Sequence, residues 1–167
     1  MNEPFKEGDM GQKGSNSINQ NSNITEVIKG EKIDLSQKDQ TNEEIENILK
    51  KIGNPENIKE INLSYNQLNT IPQSIFKFTN LEKLDLTYNN IKSIPNNIGI
   101  LKNLKKLILT SNPLKNNLPI EIRGLSLEYL EIDILNENDQ YLRNIIKKIK
   151  ENIVDTYGDD KDSGGRG

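Results

Sequence analysis

The sequence predicts a short α/β solenoid, in which similar coils of chain stack along one axis. Three observations support this fold class. Related phrases begin at Ile61, Leu84 and Leu107, a step of 23 residues each time, and a constant step of this length is typical of repeat architectures. Apolar residues and an asparagine recur at the same positions of each repeat, and a proline follows in the second half of each, displaced by one residue in the third. Each repeat is therefore one unit that must stack on its neighbours to bury its apolar side.

Each repeat begins with a predicted strand. The units are 58–80, 81–103 and 104–126, and a fourth begins at Leu127. Their first, fourth and sixth positions are apolar, and the alternation of the fourth and sixth has the period of a strand with one buried face. The residues in these positions are Ile58, Ile61 and Leu63; Leu81, Leu84 and Leu86; Leu104, Leu107 and Leu109; and Leu127, Leu130 and Ile132.

An asparagine follows three of these strands, at Asn66, Asn89 and Asn112. Where the chain turns away from a strand, backbone groups lose their partners in the sheet and need others. A buried amide side chain can both donate and accept hydrogen bonds. The sequence therefore predicts a ladder of asparagines that joins one coil to the next. A proline in the second half of each unit interrupts any long helix there.

The pattern LxxLxLxxNxL followed by xxLPxxIxxLxx fits 58–125 almost position for position and resembles the leucine-rich repeat. The 23-residue form is most similar to the repeats of intracellular signalling scaffolds and of bacterial leucine-rich repeat proteins. The resemblance implies a right-handed horseshoe segment with a parallel sheet of about five strands on its concave side. It also implies that the module binds another protein.

A solenoid needs a cap at each end, because an uncovered coil would expose the core. At the amino-terminal end, 25–57 is predicted to form a capping coil. Within it, 31–36 has the strand pattern, and the spacing of Thr41 and Glu44 is that of a capping box at the start of a helix over 41–53. The sequence therefore predicts that a true helix closes this end.

At the other end, 127–154 is predicted to form a cap from a last strand and an amphipathic helix over 138–153. The three repeats in 58–126 lie between the two caps. The segments 1–24 and 155–167 are rich in polar residues and glycine, and they are predicted to be disordered because they have too few apolar side chains to bury.

The composition argues against several functional classes. The chain has no histidine and no cysteine, which removes the commonest general base, thiolate metal ligands and disulfides. No phosphate-binding glycine loop or nucleophile-elbow motif occurs. A net charge of -3 is not that of a nucleic-acid-binding surface, which is normally basic. We therefore predict a protein that is not an enzyme, holds no metal or cofactor and binds no nucleic acid.

The compartment cannot be read from the sequence. No apolar run approaches the roughly 20 residues of a membrane span, and the first residues lack the apolar region of a secretory signal. The expectation is a monomer that is cytoplasmic as the sequence stands, or secreted if a signal peptide was removed.

The predicted partner-binding residues lie on the strands. In the implied concave sheet, the third, fifth and seventh positions point away from the core because side chains alternate along a strand, and the eighth lies at the rim. Aliphatic and aromatic residues exposed among charges, here Ile108, Tyr129, Tyr65 and Tyr88, are typical interface anchors. The predicted set is Asn62, Ser64, Tyr65, Lys83, Asp85, Thr87, Tyr88, Lys106, Ile108, Thr110, Tyr129 and Glu131.

The leading hypothesis is a non-catalytic module that binds a protein partner through the concave face. Two alternatives remain open at this point. The solenoid could be a structural spacer, or it could be the recognition portion of a larger effector or enzyme with a separate catalytic domain. Tyr65 and Tyr88 could equally cover the turn beneath them without contacting any partner.

Overall fold

The structure is a computed structural model that describes residues 24–115, 118–133 and 140–157. Its α-helices and strands follow one another in the order α1 Ile24–Val27, β1 Ile28–Lys29, β2 Lys32–Asp34, α2 Asn42–Lys51, β3 Glu60–Asn62, β4 Lys83–Asp85, β5 Lys106–Ile108, β6 Tyr129–Glu131 and α3 Gln140–Tyr157. Short 3₁₀ helices lie between the strands, at Pro55–Asn57, Gln73–Lys77, Asn96–Ile100 and Ile120–Gly124.

The strands form one sheet in which they are arranged in sequence order. From β2 to β6 every neighbouring pair is parallel, and equivalent positions of successive repeats lie opposite each other. Leu84, for example, lies opposite Ile61 on one side and opposite Leu107 on the other. Residues 23 positions apart in successive repeats are therefore neighbours on adjacent strands of the sheet. The predicted α/β solenoid with five parallel strands is confirmed.

The sheet has a sixth strand that the sequence pattern did not predict. β1 runs antiparallel to β2, with Ile28 opposite Ile33. Gly30 in the connecting turn has a φ of 61°, a left-handed conformation that costs glycine little. A strand of two residues is too short for apolar alternation to reveal it. Because β1 pairs with β2, the first parallel strand is not an open edge.

The core lies between the sheet and the 3₁₀ helices. The first, fourth and sixth positions of the three repeats are buried, while in the last coil Leu127 is buried and Leu130 and Ile132 are half-buried against the core. Each buried Leu or Ile contributes about 1.5–3 kcal/mol relative to exposure. Burial of this apolar series, and not the three-residue strands themselves, is therefore the main stabilising term of each coil.

The amino-terminal cap contains the predicted helix, α2. Its capping box is complete, since the Thr41 backbone N–H donates to the Glu44 carboxylate at 2.8 Å and the Glu44 N–H donates to Thr41 Oγ1 at 3.4 Å. Ile45 and Leu49 are fully buried beneath the helix. Glu46 on the same helix accepts from the Ser74 hydroxyl at 2.7 Å, which joins the cap to the first repeat.

The carboxyl-terminal cap contains the second predicted helix, α3, which packs against β6 and the last 3₁₀ helix. Leu142, Ile145 and Ile149 are buried, and Ile146 is partly buried. The exposed Lys148 Nζ donates to the Arg123 carbonyl at 3.2 Å. Both predicted helical caps are thus present.

The boundaries of the predicted disordered segments differ slightly from the structure. Ile24 begins α1, and 155–157 belong to the end of α3. The rest of these segments, 1–23 and 158–167, lies outside the described residues.

Candidate protein-interaction surface

The parallel register arranges the outward side chains of the strands in columns. The third-position column contains Lys32, Glu60, Lys83, Lys106 and Tyr129, and the fifth-position column contains Asp34, Asn62, Asp85, Ile108 and Glu131. Neighbouring members of a column belong to adjacent strands, roughly 4.8 Å apart in a sheet. The structure therefore brings together the predicted contact residues of different repeats on one surface, which we call the strand face.

A polar contact recurs between the fifth and seventh positions of a coil. Asp85 Oδ1 accepts hydrogen bonds from the Thr87 backbone N–H at 3.0 Å and from its hydroxyl at 2.7 Å. Asp34 accepts the same two bonds from Ser36 in the coil of β2. In the β3 coil, Asn62 Oδ1 accepts from the backbone N–H of the seventh residue at 3.0 Å. Three consecutive coils thus use an Asp or Asn to satisfy the chain just after its strand.

The coil of β5 lacks this contact. Its fifth position is Ile108, which is half-buried and has no hydrogen-bonding group, and its seventh is Thr110. The Thr110 hydroxyl oxygen is buried and has no hydrogen-bond partner among the described residues. A buried polar group without a partner costs about 1–3 kcal/mol. Ile108 therefore departs from the local pattern, on the next-to-last strand of the strand face.

The lysines of the third column fall into two groups. Lys32 forms an ion pair with Glu60 at 3.0 Å. Lys83 and Lys106 lie opposite each other on adjacent strands, and neither forms an ion pair with any other described residue. The strand face therefore presents two neighbouring cations that have no carboxylate partner within the described chain.

A column of alternating charge lies beside the strands, and the prediction did not include it. The second position of successive coils reads Glu31, Lys59, Glu82, Lys105 and Glu128. Lys59 pairs with Glu31, and Lys105 pairs with Glu82, each at 2.9 Å. The hydrogen bond to Glu31 raises the pKa of Lys59, and the hydrogen bond from Lys105 lowers the pKa of Glu82. The alternation of sign at a fixed repeat position was the sequence signal for this column.

Two tyrosines at the rim of the strand face stack on each other. The ring centroids of Tyr65 and Tyr88 are 4.6 Å apart and the ring planes differ by 17°. Both side chains remain about half exposed, at 46% and 52%. Both residues have positive φ, 58° and 52°, so the same backbone conformation projects the two rings side by side. The prediction paired these residues but did not include their stacking.

Tyr129 and Glu131 form a contact at the last strand. The Tyr129 hydroxyl donates to Glu131 Oε2 at 2.6 Å, and this hydrogen bond raises the pKa of Tyr129. The Tyr129 side chain is 46% exposed. The carboxylate therefore holds the phenol in one orientation and leaves the ring open to solvent.

One predicted contact residue is not accessible. Ser64 was expected to point away from the core, but it is buried, with 7% of its surface exposed. A serine side chain is short, and its column is flanked by the coils of β2 and β4 on both sides. Ser64 therefore offers little surface to a partner, and its role in a contact stays a prediction.

The described residues contain no group of three or more His, Asp, Glu or Cys side chains placed to hold a metal ion. Within the same part of the chain, no helix combines the length and the apolar character needed to cross a membrane.

Together, a parallel sheet in the register of the repeat, an asparagine after three of the strands and a helix at each end define a short capped solenoid with one open strand face. Residues 56–114 match the family model of the leucine rich repeat. A solved structure of a leucine-rich repeat protein from Leptospira interrogans is 28% identical and superposes with a TM-score of 0.51. Residues 56–114 are therefore leucine-rich repeats, and the fold of the chain is that of a leucine-rich repeat solenoid.

The match to the Leptospira protein covers 72% of this chain and 29% of that one. The chain thus spans less than a third of the length of this relative. No curated protein matches the sequence.

Proposed function

We propose that the protein is a non-catalytic module that binds a protein partner through the strand face. Leucine-rich repeats serve in general as protein-interaction modules, which supports the coarser part of this proposal. The finer part, the location of the contact, follows from side chains that the fold itself does not require. No cofactor or nucleic acid takes part, and the module acts as a monomer.

The observation that carries the proposal is Ile108. An asparagine there would accept a hydrogen bond from the backbone N–H of the seventh residue, as Asn62 does in the β3 coil. Because asparagine is neutral, it would add no negative charge next to Asp85 and Glu131. Ile108 offers no acceptor, and the Thr110 hydroxyl in the same coil has no hydrogen-bond partner among the described residues. Natural proteins depart from a locally favourable choice mainly at functional sites. We therefore assign Ile108 as the central anchor of the contact.

The neighbours of Ile108 suit such an anchor. Asp85 and Glu131 lie opposite it on the two adjacent strands, and Lys83 and Lys106 supply the cations described above. An aliphatic residue surrounded by polar and charged groups corresponds to the apolar centre and polar rim of a protein interface. Tyr129 extends the same surface toward the carboxyl-terminal cap.

The test is an affinity comparison with a partner captured from extracts of the source organism by the wild-type chain. Ile108→Asn removes the aliphatic surface and supplies the acceptor that Asn62 provides in the β3 coil, so the variant should fold, which circular dichroism checks before affinity is compared. The matched control is Ile120→Asn, the same change at a residue that is 62% exposed on the opposite, 3₁₀-helical side. We expect binding at least about tenfold weaker, on the order of 1.4 kcal/mol, for Ile108→Asn and unchanged binding for the control.

Two other results would point elsewhere. Loss of affinity only in Ile120→Asn would place the contact on the 3₁₀-helical side. A solenoid that captures no partner in any form would favour a structural spacer. The partial coverage of the Leptospira protein is the observation that favours a second candidate, a recognition portion of a larger protein. That candidate uses the same strand face and gives the same result with Ile108→Asn.

A further inference from the structure

The eighth position adopts one unusual backbone conformation in the coils of β2, β3, β4 and β5. Gln37, Tyr65, Tyr88 and Ser111 have φ values of 56°, 58°, 52° and 57°. Left-handed φ values are uncommon for residues other than glycine, and here they recur in four consecutive coils. Because the backbone is the same, side chains in this column leave the chain in the same direction. Their spacing is that of the strands, which explains why the two rings stack with centroids 4.6 Å apart.

The aromatic stack ends where serine replaces tyrosine. Ser111 is the next member of the column after Tyr88, and its side chain is too short to cover a neighbouring ring. Tyr88 accordingly keeps 52% of its surface exposed. Both residues line an open cleft of about 430 Å³, and Tyr65 does not. Among the described residues, no aromatic ring covers the face of Tyr88 on the Ser111 side.

The cleft also presents hydrogen-bonding groups that the fold leaves unused. It is lined by Gln67, Asn69 and Asn90 in addition to Tyr88 and Ser111. Asn90 Nδ2 donates to Asn69 Oδ1 at 3.0 Å, which leaves Asn69 Nδ2 and Asn90 Oδ1 without a hydrogen bond to any other described residue. The same is true of the Gln67 side-chain amide and the Tyr88 hydroxyl.

The asparagines of the ladder, Asn66 and Asn89, complete the wall of the cleft, but their amides are engaged with the backbone. No residue that lines the cleft carries a charge. A neutral wall with free amide donors and acceptors is complementary to peptide groups. It has no counter-charge for an acidic or basic ligand.

We propose that this cleft, the aromatic slot formed by Tyr88, Ser111, Gln67, Asn69 and Asn90, receives an aromatic side chain from a neutral, extended segment of the partner protein. The incoming ring stacks on Tyr88 in the place that Ser111 leaves open, as Tyr65 stacks on its other side. The peptide groups next to that ring hydrogen-bond to the free amides. The proposal rests on the proposed protein-binding function and names the partner chemistry at the rim of the same surface.

Preorganisation supports the choice of an aromatic anchor. Offset-stacked rings gain attraction beyond the area that they bury, and Tyr88 is already held in its stacking orientation by Tyr65. Little side-chain freedom remains to be lost on binding, which is the condition under which a contact residue contributes most. Tyrosine is also among the residues enriched at interface hot spots.

The test uses a substitution in the chain itself to occupy the aromatic slot. Ser111→Tyr places a third ring in the column, at a backbone conformation that Tyr65 and Tyr88 already adopt, so the variant should fold. The control is Gln37→Tyr, which introduces the same ring at the other end of the column and leaves the slot open. The probe is a neutral peptide with tryptophan at its centre and glycine and serine on both sides, and the same peptide with leucine at its centre is the non-aromatic comparison.

Binding is followed by amide and side-chain NMR shifts of the isotopically labelled full chain. The chain contains no tryptophan, so tryptophan emission, which reports on the peptide alone, gives a second readout. We expect saturable shift changes at Tyr88, Ser111, Gln67 and Asn69 with the tryptophan peptide. They should be absent in Ser111→Tyr, unchanged in Gln37→Tyr and much smaller with the leucine peptide.

Equal shift changes in wild type and Ser111→Tyr, or no saturable change at these residues in wild type, would contradict the proposal that the slot binds an aromatic side chain. The same variant separates this proposal from the function on which it rests. If the captured partner loses affinity for Ile108→Asn but binds Ser111→Tyr normally, the strand face binds a protein and the slot does not contribute. If both variants lose affinity, both proposals stand.

Discussion

Asn89 Nδ2 lies 2.9 Å from the carbonyl oxygen of Leu63, one coil away, while Asn89 Oδ1 accepts the backbone N–H of Leu68 at 3.0 Å. The same amide also donates to Leu86 in its own coil at 3.0 Å. Asn66 and Asn112 repeat this arrangement with the coils before them. Each asparagine is thus a clamp between two coils as well as a cap on its own turn.

We predict that Asn89→Leu lowers the free energy of unfolding by at least about 1–3 kcal/mol. The leucine side chain offers no acceptor to the Leu68 N–H, and an unsatisfied group inside the coil carries a penalty of that size. Chemical denaturation monitored by circular dichroism measures the change. The control is Asn90→Leu at the exposed neighbouring position, whose side chain bonds only to Asn69. Equal midpoints for the two variants would contradict the clamp.

The asparagine ladder and the sheet register could be predicted because they are properties of the repeat itself. A fixed step of 23 residues fixes which positions meet, and it placed Leu84 between Ile61 and Leu107 as the structure has them. The strand-period pattern and the capping box are equally local. These features follow from sequence because each depends on residues at a known spacing.

The other features of the strand face depend on backbone conformation and side-chain packing, which the spacing of the repeat does not specify. The stacking of Tyr65 and Tyr88 requires positive φ at both residues, which nothing in the composition of the turn predicts. The burial of Ser64 depends on how closely neighbouring coils pack around a short side chain. The Thr110 hydroxyl lacks a partner among the described residues because of the atoms that pack around it, which the repeat spacing does not specify.

A second prediction concerns the effect of the side chain at position 108 on the free energy of unfolding. Ile108→Asn should raise the free energy of unfolding relative to Ile108→Ala by about 0.5–1.5 kcal/mol, the net value of one hydrogen bond. The introduced amide is placed to accept from Thr110, as Asn62 does from the chain in its own coil, while alanine loses the same aliphatic surface without adding an acceptor. Thermal and urea denaturation of the two variants measures the difference. If the alanine variant is as stable, the recurrent fifth-to-seventh contact is not a stabilising element.

The carboxyl-terminal cap yields a third prediction. Ile145 is 1% exposed on the face of α3 that covers the last coil. Ile145→Ala should destabilise the chain by about 2–5 kcal/mol, because it leaves a cavity where the helix meets the core. Asn144→Ala, at the preceding exposed position, should have little effect. A small and equal loss in both variants, measured by urea denaturation, would show that the solenoid does not depend on α3 to close its end.

The last prediction is the pH dependence of the contact between Tyr129 and Glu131. The hydrogen bond to Glu131, together with partial desolvation and the charge of that carboxylate, raises the pKa of Tyr129 above its ordinary value of 10.0. Because the folded pKa is the higher one, the contact stabilises the fold at pH values below the unfolded pKa. That contribution is lost as the pH rises through the folded pKa.

Glu131→Gln removes the charge, so the pKa of Tyr129 should fall toward its ordinary value. NMR titration with ring-labelled tyrosine resolves Tyr129 from the other tyrosines, and Glu128→Gln, an exposed carboxylate nearby, is the control. The stability difference between wild type and Glu131→Gln should also diminish above about pH 10. An identical Tyr129 titration in wild type and Glu131→Gln would mean that the hydrogen bond does not persist in solution.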